Sequence, residues 1–216
     1  MKSALLALLL VAASAQAQME LDWSAALDEG ALALKNAQYV KALEIDERTI
    51  ADMLARLGAK SEPQFAVAVA QKAEALEGLG RGNDARMFRR LARHLGANVP
   101  NEDRPMVRES PPLRVGGDVT APVALKRASP RYAEGARKAR IFGVVIVESI
   151  IDKNGVIRDA EVRKGLAPTL DYAAVDAVRQ WRFLPGRLKG EVVSVLFDLT
   201  INFKLVADED ENMPRY

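Results

Sequence analysis

From residue 193 to 205 every odd position is apolar (Val193, Val195, Phe197, Leu199, Ile201, Phe203, Leu205), whereas Asp198, Thr200, Asn202 and Lys204 are polar. A period of two puts the two sets on opposite faces of an extended chain, so residues 192–205 predict one long strand with one buried face. Such a strand needs a sheet to pair in and a second layer to bury it. Residues 142–151 supply a β-branched partner strand, and Asp152-Lys153-Asn154-Gly155 supplies a hairpin turn whose Asn-Gly pair tolerates positive φ. Another strand follows from Val156 to about Arg163, where a slip in alternation between Ile157 and Ala160 predicts a bulge. Helical patterns over 129–140 and 170–180 provide the second layer.

The later of these helices closes on AVDAVRQWRFLPG, residues 174–186. Ala173, Ala174, Ala177 and Val178 give it a small face that can lie close on a thin sheet. Trp181 and Phe183 bring bulk beyond the helix end, and Pro185 with Gly186 forbids further helix. These aromatics are therefore expected in the core, not at a binding surface.

Residues 22–96 are alanine- and leucine-rich with apolar residues at helical spacing. Tyr39, Leu43, Ile50, Met53, Leu54 and Leu57 form one stripe; Phe65, Ala68, Val69, Ala73, Leu76 and Leu79 form another. Breaks at Gly58, at Ser61-Glu62-Pro63 and at 80–84, with Asn83 as a cap and Gly96 as a stop, predict four helices paired as hairpins. Two turns, at 37–42 and 80–85, each precede a small alanine by five residues. With LGAKSEPQFAVAVAQKAEALEGLGRGNDA, this resembles tetratricopeptide repeats of a longer type, roughly 42 residues per unit. About two units are too few to close a repeat core alone, so this region is expected to lean on the second domain or on another chain. Between them, NVPNEDRPMVRESPP, residues 98–112, reads as an extended proline-containing linker.

The 31 basic and 29 acidic residues nearly cancel, which removes the global field that gathers nucleic acid. There is no cysteine and one histidine, His94, so thiol chemistry and imidazole ligand clusters are excluded; no cofactor or metal is expected. Lys2, the apolar run 4–13 and the small residues Ser14 to Gln18 read as a secretory signal peptide over 1–17. The apolar run is about half of the 20 residues a membrane span needs. Export to the periplasm is expected, with an inner-membrane anchor facing the periplasm as the alternative.

RVGGDVTAP, then SPRYAEGARKARIFGVVIVESIIDKNGVIRDAEV, then LDYAAVDAVRQWRFLPG and a strand ending INFKL, follow one another in the layout of the TonB C-terminal domain family. The resemblance spans about 113–205. It implies an α+β fold class: N-terminal helical hairpins over 20–97, the linker, a domain over 113–206 with a three-stranded antiparallel sheet and two helices, and an acidic tail over 207–216. Tyr132-Ala133 stands where the family usually has Tyr-Pro, and Ser149 where the first strand often carries an aromatic. The membrane anchor and long proline-rich spacer of classical members are not read in this sequence.

Nothing in the chain argues for catalysis. His94, in RRLARHLG, is expected to bond the carbonyls at its helix end; Asp152, Asp159 and Glu161 are expected to serve the turn and an exposed strand. Lys126, Arg127, Arg131, Arg137, Lys138 and Arg140 surround a helix and form either a solvated face or an attraction for an acidic partner. The resemblance places the last strand at a sheet edge, where a partner peptide adds as a strand. The candidate binding residues are Tyr132, Arg131, Arg137, Lys138, Val195, Phe197, Leu199, Ile201 and Phe203, and Leu199→Pro or Ile201→Pro is expected to abolish binding. The implied partner is an outer-membrane TonB-dependent receptor or another envelope protein. Alternatives are a homodimer through the last strand and an adaptor acting mainly through its helical domain.

Overall fold

A computed structural model of the chain describes residues 22–60, 62–100 and 111–205. The expected signal peptide, most of the linker and the acidic tail lie outside the described residues.

Among the described residues four helices come first: α1 (Ser24–Lys35), α2 (Tyr39–Arg56), α3 (Pro63–Gly78) and α4 (Gly82–His94). The two matching turns hold. Ala37 (φ 55°) and Gly80 (φ 73°) take the left-handed conformation, and five residues on, Ala42 and Ala85 are fully buried where neighbouring helices cross. Gly96 (φ 98°) follows α4 as its stop. Asn83 lies inside α4 rather than capping it.

Next come β1 (Leu113–Arg114), β2 (Val123–Lys126), α5 (Glu134–Lys138), β3 (Gly143–Ile151), β4 (Ile157–Lys164), α6 (Pro168–Val178), β5 (Arg182–Leu184), β6 (Arg187–Leu188), β7 (Glu191–Val192) and β8 (Val195–Phe203). The main sheet has the order β1-β8-β3-β4. The three expected antiparallel strands are β8, β3 and β4; the short β1 adds a parallel fourth on the outer side of β8. The bulge falls as predicted: Ile150 opposes Asp159 and Ile151 opposes Ile157, leaving Arg158 as the extra residue.

Three expectations change. The helix over 129–140 shrinks to α5, because Ser129 precedes Pro130, which disfavours helical geometry there, and Ala133 is extended (φ −63°, ψ 126°). The strand over 192–205 divides. Val192 instead pairs with Arg187 in a hairpin turned at Lys189 (φ 51°) and Gly190 (φ 92°), two positive values that suit the twist of a two-residue turn. WRFLP is more than punctuation, since Arg182–Leu184 pairs with β2. Trp181 and Phe183 are nevertheless in the core, at 7% and 4% exposure, with Trp181 Nε1 donating to Ala128 O at 2.8 Å.

One apolar core runs through both halves. Tyr172 of α6 meets Phe88 of α4 and Phe65 of α3, ring centroids 5.5 and 5.8 Å apart. Buried Lys72 donates to Tyr172 Oη at 2.9 Å and Glu47 Oε1 at 3.0 Å. Desolvation opposes its charge, but Tyr172 and Glu47 outweigh it and raise its pKa. Beside β4, Arg90 lies 3.1 Å from both Asp159 and Glu161, and Arg86 donates to Arg158 O at 3.1 Å. Asp159 is thus buried under α4 rather than on an exposed strand. Gly135 of α5 sits so close to the end of α2 that a Cβ would run into Leu57 O. The helical half leans on the sheet domain through this shared core.

Candidate strand-docking edge

Backbone direction along β8 follows from one hydrogen bond. Leu113 N–H donates to Ser194 O at 2.9 Å, so Ser194 faces away from β3. The two-residue period of a strand then turns the N–H and C=O of Leu196, Asp198, Thr200 and Asn202 the same way. β1 pairs with β8 at Val195 and Leu196 alone. No strand among the described residues pairs on the outer side of β8 from Asp198 to Asn202, so three residues offer their donors and acceptors there. The edge expected from sequence exists, but β1 covers its start.

Most odd-numbered candidates lie in the core. Val195, Leu199, Ile201 and Phe203 are buried, Phe197 is half-buried, and their backbone groups point at β3. Proline at Leu199 or Ile201 would therefore break the central ladder rather than the free edge. On the opposite face are Asp198, Thr200 and Asn202, all exposed. Here Glu148 stands between Asp198 on β8 and Glu161 on β4, a carboxylate row countered by Arg114 at 3.6 Å and Arg163 at 3.6 Å from Glu148.

Tyr132 sits at the far end of β8. Its ring meets Phe203 edge-on, centroids 5.4 Å apart and planes at 84°. Its hydroxyl donates to Ile141 O, and desolvation raises its pKa. Arg137 and Lys138 of α5 pair with Glu134 at 2.9 and 3.7 Å; the Arg137 hydrogen bond lowers the Glu134 pKa. Arg131 turns elsewhere, to a cleft of about 190 Å³ shared with Glu47, Lys72, Tyr172, Asp176 and Arg179. Arg127 stacks on the Trp181 ring, 5.3 Å from its centroid, so Arg127, Arg131 and the Arg137–Lys138 pair each have a separate setting.

The carboxylates and histidine have structural partners. Asp152 is buried, accepts from Asn154 N and Val156 N at 2.9 Å each, and pairs with Arg158. His94 does not cap α4: Nε2 lies 3.1 Å from Asp171 Oδ2 on α6, and this hydrogen bond raises the His94 pKa. Among the described residues no group of three His, Cys, Asp or Glu side chains is placed to hold a metal ion. The residues missed from sequence are the outward even positions and β1, because alternation reveals which side chains are buried but not which strand lies alongside.

The stretch holding α5, the β3–β4 hairpin, α6 and the final strand after Trp-Arg-Phe-Leu-Pro matches the family model for the Gram-negative bacterial TonB protein C-terminal over residues 128–205. Residues 128–205 form a TonB C-terminal domain. Over 80 residues the chain is 35% identical to Protein TonB of Vibrio cholerae serotype O1, covering 37% of this chain and 33% of that protein. Over 77 residues it is 32% identical to Protein TonB of Xanthomonas campestris pv. campestris strain B100, covering 35% and 34%. The chain thus spans about a third of the length of these curated relatives. The matched TonB segment begins after β1 and excludes the four helices.

Proposed function

We propose that this is a periplasmic binding protein whose TonB C-terminal domain takes an extended segment of a partner onto the outer side of β8, and that the partner is an outer-membrane TonB-dependent receptor. The observation carrying this reading is the row of outward backbone groups at Asp198, Thr200 and Asn202. Main-chain pairing would supply affinity, and flanking side chains selectivity. Phe203 and Tyr132 would border the added strand at one end, and the carboxylate row would border it on the solvent face. In this reading the chain binds and couples rather than catalyses. Export through the N-terminal segment places it in the periplasm, with an inner-membrane anchor as the alternative. Among the described residues no helix is long and apolar enough to cross a membrane.

The test is Thr200→Pro, which removes an outward donor and leaves the bonds to β3 in place. Titration with a peptide from the periplasm-facing segment of a TonB-dependent receptor of the host should show binding to wild type and at least a tenfold loss in the variant, about 1.4 kcal/mol. Equal binding by both would refute strand addition here.

A second reading makes the tetratricopeptide-like helices the main binder. It is favoured by Leu32, Val40 and Leu79, which are 57%, 62% and 37% exposed around the turns. Val40→Glu should then abolish partner capture, whereas Thr200→Pro should leave it intact.

A further inference from the structure

β1 occupies the start of the edge just described and pairs there at two positions. In its parallel register Leu113 opposes Val195 and Arg114 opposes Leu196; this pattern puts Leu196 N–H on Leu113 O, beside the 2.9 Å bond from Leu113 N–H to Ser194 O. Leu113 is only half-buried. Arg114 adds an ion pair to Glu148 at 3.6 Å with its own side chain 74% exposed, a geometry that contributes little. Directly after Val115, Gly116 (φ 134°) and Gly117 (φ 57°) supply backbone freedom at a turn fixed by the reciprocal Gly116–Val119 hydrogen bonds of 3.1 Å, so the segment that moves is the one ahead of that turn.

We propose that β1 is a resident stand-in for a partner strand: an extended partner segment running parallel to β8 exchanges with Leu113–Arg114 and then pairs along the whole edge from Ser194 to Asn202. This rests on the strand-addition reading above. The partner that fits has an apolar side chain where Leu113 lies beside Val195 and a cation where Arg114 reaches Glu148. The cation matters because departure of Arg114 leaves Glu148, between Asp198 and Glu161, with Arg163 at 3.6 Å as its counter-charge, while Arg90 pairs with Glu161 at 3.1 Å, and like charges across a sheet repel. Partner affinity is reduced by the fraction of molecules in which β1 is in place.

The probe is a synthetic peptide of residues 111–117, PPLRVGG, titrated into the full chain as wild type, as Leu113→Pro, and as the double variant Arg114→Cys with Leu196→Cys. The chain has no native cysteine, so oxidation of the double variant ties β1 to β8 alone. Leu113→Pro should bind the peptide at least about fivefold more tightly than wild type, as expected for removing one occluding hydrogen bond. The oxidised double variant should bind at least about fivefold more weakly than its reduced form, reductant should restore binding, and a peptide with glutamate in place of its arginine should bind more weakly. Equal affinity across the three proteins overturns the exchange while leaving pairing at 198–202 standing, provided that Thr200→Pro still abolishes it. No binding to a folded Leu113→Pro protein means that the vacated edge accepts no strand, and overturns both readings. Hydrogen exchange gives an independent check. The Leu196 amide should exchange far faster than Val147 in β3; equally slow exchange makes β1 a permanent strand and overturns the proposal.

Discussion

Phe88→Ala tests whether the helices and the TonB C-terminal domain fold as one unit. Phe88 is fully buried, lies 5.5 Å from the Tyr172 ring, and has the Lys72 ammonium 4.7 Å and the Arg179 guanidinium 5.7 Å from its centroid. Truncating a buried phenylalanine costs about 3–5 kcal/mol; the upper half applies here, because the cavity opens beneath a buried lysine that cannot collapse into it. With a urea slope of about 2 kcal/mol per M, the midpoint should fall by about 2 M. The two tryptophans make the assay selective. Trp23 bonds Asp52 Oδ2 at 2.8 Å within the helices, and Trp181 bonds Ala128 O at 2.8 Å within the TonB domain. Fluorescence unfolding in Trp23→Phe and Trp181→Phe backgrounds reports each half, and Phe88→Ala should shift both midpoints by the same amount. A shift confined to the Trp23 signal would refute the continuous core and make the halves independent domains.

Other perturbations have definite signs. Asp46 is fully buried, its carboxyl oxygens have no hydrogen-bond partner in the structure, and burial pushes its pKa up to about 7. The folded state therefore holds a proton that the unfolded chain releases near pH 4, and stability falls as pH rises from about 4 to 7. Asp46→Asn should flatten that slope and raise the melting temperature at pH 8. His94 has the opposite chemistry but the same direction: its pKa is raised by Asp171, so its contribution is complete below about pH 6.5 and is lost as pH rises through the folded value. His94→Gln should remove that dependence in urea titrations run between pH 5 and 8. Gly155 has φ 73°, and a Cβ there would run into Phe183 O; Gly155→Ala should cost more than about 2 kcal/mol in thermal melts, and an unchanged melting temperature would refute the close approach of turn and β5.

Local chemistry made much of this molecule legible in advance. Alternation named the buried face of β8, Asn154-Gly155 placed the hairpin, the slip near Ile157 located the bulge, and the small residues Ala42 and Ala85 marked the helix crossings. Each depends on neighbours in the chain, for which a residue type and a spacing suffice. His94 and Asp159 were misread for the complementary reason. Their partners, Asp171 and Arg90, lie 77 and 69 positions away along the chain, and nothing in the local pattern distinguishes a solvent-facing charge from one aimed at another element.

The candidate site divides along the same line. The sequence by itself determined that β8 exists, which of its side chains are apolar, and that Trp181 and Phe183 stop a helix and enter the core. Tertiary structure alone decided that β1 covers the start of the edge, that Asp198, Thr200 and Asn202 carry its open backbone groups, and that Arg131 faces a cleft rather than the strand. Side-chain burial is periodic and is written into residue order, whereas the strand that lies alongside is set by the path of the whole chain.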